Sequence, residues 1–89
     1  MKHIIKRKGH QERFDERKVY ATCYAACLNA TINKTDTETI CNQVAKEIAK
    51  WIKTRDEVTS HHIFKQVIRL LKKHDKNAAF MYETHRDIA

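Results

Sequence analysis

Ile40, Val44, Ile48 and Ile52 recur at every fourth position, with polar residues such as Asn42, Gln43, Lys46, Glu47 and Lys50 between them. This is the stripe of an amphipathic helix, with one face turned to a core and the other to water. Thr35-Asp36-Thr37-Glu38 just before it has the form of a capping box, with Thr35 as the cap and Glu38 reaching back. A second helical pattern runs from Asp15, an N-cap type, to about Ala30 through Val19, Cys23, Ala26 and Cys27. Thr31 to Lys34 reads as the loop between the two, and Lys53 to Glu57 as the exit from the second. A third helix starts at Thr59 or Ser60, buries Ile63, Val67, Leu70 and Leu71, and closes on Lys72, Lys73 and His74, cations at the negative end of its dipole. Asp75 caps a last helix that turns Ala78, Met81, Tyr82, His85 and Ile88 inward, and Trp51 plugs one end of the core.

The N-terminus follows a different rule. His3 to Arg7, with Ile4 and Ile5 at its centre, reads as a short strand; Lys8-Gly9 turns, because glycine accepts positive φ; Gln11 to Phe14 returns. A two-stranded hairpin is marginal alone. It must lean on helices or gain a third strand, for which Glu57-Val58-Thr59 is the candidate. The expected fold class is α+β, mostly α: a short β-hairpin or three-stranded sheet capping a four-helix bundle.

Composition narrows the class without choosing a function. The 89 residues suffice for one domain with a modest core, and neither linker, repeat nor low-complexity segment interrupts 1–89. Proline is absent and glycine occurs once, which suits a helical chain with one sharp turn. Eighteen basic against eleven acidic residues give +7, a balance that favours polyanionic partners. The opening MKHIIKRKGHQ has no signal-peptide core and no apolar run approaches a membrane span, so a cytoplasmic chain with reduced thiols is expected. Cys23, Cys27 and Cys41 fall on apolar stripes and paired Cys-x-x-Cys knuckles are absent, so they read as small buried thiols rather than zinc ligands alongside His61 and His62. There is no Gly-x-x-x-x-Gly-Lys phosphate loop and no nucleophile elbow, and an enzyme is not expected.

The densest charge lies in IIKRKGHQERFDERKV, residues 4–19. Ile4 and Lys6 alternate onto one strand face, offering an apolar floor beside a cation. Glu12, Asp15 and Lys18 follow within one hairpin-to-helix unit, a set the size of a nucleotide. This stretch resembles the opening of the ATP-cone family, written loosely V-x-K-R-[DN]-G-x-x-x-x-F-[DN]-x-x-K-[IV]. That module stands at the N-terminus of many ribonucleotide reductases and in the repressor of their genes. Val58-Thr59-Ser60 followed by Ile63 resembles its third strand and helix start, and AAFMYETHR its closing helix.

The resemblance implies ATP or dATP bound under the hairpin as an effector, and leaves open whether magnesium accompanies it. Ile4 would line the adenine pocket, Lys6 and Arg7 would hold the phosphates, and Glu12 and Asp15 would make polar contacts at the base or sugar end. Lys18 would touch phosphate or sugar, and Thr59 or Ser60 would supply a hydroxyl. Two positions depart from the pattern: Lys8 stands where the family carries Asp or Asn, and Phe64 about where some members place a polar contact. The chain carries neither the reductase barrel nor the repressor's zinc ribbon, so the reading is a sensor domain alone, acting through self-association or on a partner in trans. The competing reading is a small basic nucleic-acid-binding protein, supported by the net charge and by Arg69, Lys72 and Lys73.

Overall fold

The computed structural model describes residues 3–5 and 11–85, and side chains from 14 to 84. Three short strands and four helices follow in the order β1 (His3–Ile5), β2 (Gln11–Arg13), α1 (Glu16–Asn29), α2 (Lys34–Lys53), β3 (Val58–Thr59), α3 (Ser60–His74) and α4 (Lys76–His85). The chain is mostly helical, as the spacing of its apolar positions predicts. The predicted turn at Lys8-Gly9, and Ile88, lie outside the described residues.

The sheet order is β2-β1-β3. β1 pairs antiparallel with β2, setting Ile4 opposite Glu12 and Ile5 opposite Gln11. On its other edge β1 pairs parallel with β3, setting Ile4 beside Val58 and Ile5 beside Thr59. The third strand therefore exists, and its parallel direction needs the long crossover that α1 and α2 supply.

α1 packs on α2 and on α4, and α3 on α4 and on α2, so each helix has two helical neighbours around one core. That core contains Val19, Cys23 and Cys27 from α1, Cys41, Val44, Ile48 and Ile52 from α2, Val58 from β3, and Val67, Leu71, Ala78 and Ala79 from α3 and α4. Three of the four positions of the α2 stripe are fully buried, while Ile40 and Trp51 lie at the core's edge. Arg55 sits 5.1 Å from the centre of the Trp51 ring, where a cation meets the electron-rich face. Among the described residues Thr37 is the buried polar side chain, and its hydroxyl donates to the Ile32 carbonyl at 3.3 Å. Phe14 packs against the core as an anchor.

The start of α2 corrects the sequence reading. Thr35 already lies inside the helix, where its carbonyl accepts from the Thr39 hydroxyl; the cap is Asn33. Asn33 Oδ1 accepts the Asp36 N–H at 2.8 Å and its Nδ2 donates to the Asp36 carboxylate at 2.9 Å. This reciprocal pair satisfies an orphan amide and holds a carboxylate at the positive end of the helix. Asn33→Ala is expected to cost about 1 kcal/mol and Thr35→Ala far less, as read from urea midpoints. The other caps follow expectation: Thr59 Oγ1 accepts from His62 N–H, and Asp75 Oδ1 from Ala78 N–H.

Candidate functional site

The sheet register sets two predicted site residues, Glu12 and Ile4, in one row, and a third, Thr59, in the next row beside Ile5. Glu12, Ile4 and Val58 occupy adjacent strands, with Thr59 one position after Val58. Strands spaced by about 4.8 Å make that row roughly 10 Å wide, the scale of a nucleoside. β2 runs through Phe14 into the cap of α1, and β3 runs directly into α3. The two helix N-termini thus leave the sheet from opposite edges and opposite ends: α1 beyond the Arg13–His3 pair, and α3 beside Ile5.

Asp15 is the N-cap of α1, and its carboxylate is already engaged. Oδ1 accepts from Arg17 N–H at 2.9 Å and from Arg17 Nε–H at 3.2 Å, and Oδ2 accepts from Arg17 Nη2 at 3.3 Å. The bonds from the Arg17 side chain and backbone hold the Asp15 carboxyl below its ordinary value. The Arg17 side chain is 92% exposed, so the ion pair itself is screened and readily exchanged for another partner. The sign of its pH dependence is set by the depressed folded pKa. The Asp15 contribution is fully present above the ordinary carboxylate range near pH 4 and is lost as pH falls through the lower folded value. Asp15→Asn keeps a good cap but does not titrate. The difference in melting temperature between wild type and this variant should therefore shrink on acidification below about pH 4 and stay constant above pH 5.

Lys18 lies exposed in the first turn of α1, and its N–H donates to the Asp15 carbonyl at 3.1 Å. Thr59 and Ser60 are half-buried at the start of α3. The Thr59 oxygen accepts the cap bond, which leaves its hydroxyl proton to donate elsewhere. His61 and His62 are exposed in the same turn. Lys6 and Arg7, and with them Lys8, lie outside the described residues; of Ile4 and Glu12 the strand position is described.

Two features were not read from the pattern of residues. Phe64 stacks on Tyr82 with ring centres 5.7 Å apart, and His61 leans on Phe64 at 6.4 Å, so an aromatic row runs from the start of α3 to α4. Cys41 of α2 also meets Cys23 and Cys27 of α1: the three sulfurs lie within 4.8 Å of one another, all buried. Spacing revealed Cys23 and Cys27 on one face, one turn apart, but not the third thiol, which arrives by packing.

A strand-led hairpin opening into a capped helix, with a parallel third strand feeding another capped helix, accords with the family that the first sixteen matching residues suggest. The family model for the ATP cone domain matches residues 2–87. The chain belongs to the ATP-cone family. The match spans nearly the whole of its 89 residues. No curated protein matches the chain. As an ATP cone it is a nucleotide-sensing regulatory module in general character. No helix among the described residues is long and apolar enough to cross a membrane.

Proposed function

We propose that this ATP cone binds ATP or dATP with its sheet laid over the helical body, and that binding alters its self-association or its grip on a partner. The supporting observation is the strand register, which sets Ile4 between Glu12 on one side and Val58 on the other, with Thr59 next along beside Ile5, across a nucleoside-sized width in a chain of this family. Lys6 and Arg7 follow directly on Ile5, the register partner of Thr59. The phosphates therefore belong at that end, where the α3 N-terminus adds unpaired N–H groups and a positive dipole end. Glu12 and Asp15 serve the base or sugar, Asp15 by exchanging its exposed Arg17 for the ligand, and Lys18 adds a cation beside them. Ser60, or the free proton of Thr59, supplies the hydroxyl contact. Magnesium accompanies the triphosphate rather than residing in the protein.

The module acts as a regulator and not a catalyst, through linkage: the assembly state that binds the nucleotide more tightly gains population. The regulated partner is a ribonucleotide reductase subunit or a transcription factor of its genes, within the cytoplasm. Light scattering with no ligand, with magnesium-ATP and with magnesium-dATP tests binding and its consequence together. A nucleotide-dependent change in mass is expected for the self-associating form. An unchanged mass together with a flat calorimetric titration at millimolar nucleotide would sink the proposal.

Exposed Arg69, Lys72 and Lys73 on α3 favour a second reading, binding of nucleic acid. That binding would fall steeply with added salt and ignore free ATP.

A further inference from the structure

The cysteine cluster has no part in the nucleotide site, and its geometry is that of a ligand set. Cys23 and Cys27 come from adjacent turns of α1 and Cys41 from the facing turn of α2, each with no solvent exposure. All three are free thiols, mutually within 4.8 Å. A metal–thiolate bond of about 2.3 Å in a trigonal arrangement spaces its sulfurs by about 4 Å. The cluster needs only small side-chain rotations to close on a central ion. No fourth His, Cys, Asp or Glu joins the group among the described residues.

We infer that Cys23, Cys27 and Cys41 form a binding site for a trivalent thiophilic ion, with arsenite as the species it takes. Charge selects that class. Zinc on three thiolates leaves a net negative unit and an open tetrahedral position, and a monovalent copper ion on three thiolates is more negative still; either places uncompensated charge among buried apolar side chains. Trivalent arsenic on three thiolates is neutral and needs no further ligand. Arsenous acid is itself small and neutral, so it reaches the interior through local opening of the helix pair. Three As–S bonds form while three As–O and three S–H bonds break. The thiol protons leave with the hydroxyls as three waters, and arsenic stays trivalent throughout.

The finished unit ties α1 to α2 at the centre of the core.

The test titrates the whole chain, kept reduced, with sodium arsenite. One arsenic bound per chain by native mass spectrometry, a higher melting temperature, and X-ray absorption showing three sulfur neighbours are expected. Cys23→Ala and Cys41→Ala, checked for an intact helical signal, should each weaken binding at least tenfold. Absence of arsenic from the folded wild type would overturn the inference. So would fewer than three sulfur neighbours, or tighter retention of zinc in a parallel titration. The absorption measurement uses the unmodified protein, so it decides the matter even where an alanine variant fails to fold. Nucleotide binding has no bearing on any of these outcomes.

Discussion

Replacing Lys6 and Arg7 together by alanine is expected to remove the rise in melting temperature that adenine nucleotide would give the wild-type domain on the proposed reading. The size of the effect follows from linkage. A ligand at a hundredfold excess over its dissociation constant adds about 2.7 kcal/mol to the folded state. In a domain of this length each kcal/mol moves the midpoint by roughly 4–8 °C, so a shift on the order of 10 °C is expected with ATP or dATP. Hydrogen bonds to charged groups contribute about 1.5–3 kcal/mol each, so losing two cations weakens binding by roughly a hundredfold to ten-thousandfold. At the same nucleotide concentration the shift then vanishes. On the proposed reading both cations serve the ligand's phosphates, so the unliganded variant should melt within a few degrees of wild type. A variant that still responds fully to nucleotide would place the phosphates elsewhere.

The second large effect concerns the body that carries the site. Ile48 is fully buried at the centre of the α2 stripe, between residues of the other helices. Ile48→Ala removes its transfer energy and leaves a cavity, at a cost of about 2–5 kcal/mol. Small domains hold about 5–15 kcal/mol in total, so the loss is a large fraction and should lower the melting temperature by on the order of 15 °C. Leu28 is the control: it is a leucine on a neighbouring helix, but 46% exposed. Leu28→Ala should fall within about 0.5 kcal/mol of wild type. Equal losses at the two positions would mean that the core is not where the burial pattern places it.

Much of this body could be read from residue spacing because helical burial is a local property. Val44, Ile48 and Ile52 share a face whatever packs against it, and so do Val67, Leu70 and Leu71. Asp15, Thr59 and Asp75 cap where their side chains predict, since a cap needs only its own next turn. The start of α2 misled because Thr35 and Asn33 are both good caps, and Thr-x-x-Glu fits the box. Asn33 prevails by accepting the Asp36 N–H on its amide oxygen while donating from its amide nitrogen to the Asp36 carboxylate, and Thr35 falls inside the helix. Convergence was harder to read. The alignment of Ile4 with Val58, and of Cys41 with Cys23 and Cys27, depends on how distant segments meet, and no periodicity records that.

The parallel partner of β1 has a consequence for assembly of the domain. Ile4 and Val58 stand 54 positions apart in the chain (58 − 4), yet they are neighbours in the sheet. The pair cannot form until the intervening helices have brought the two segments together, and closing so long a loop is entropically costly. The pairing of β1 with β3 is thus expected to be a late product of folding, and its amides should exchange with deuterated solvent by small openings that leave the helices intact. A nascent chain halted before β3 would carry every cation of the opening stretch and still lack the strand that pairs with Ile4 and Ile5.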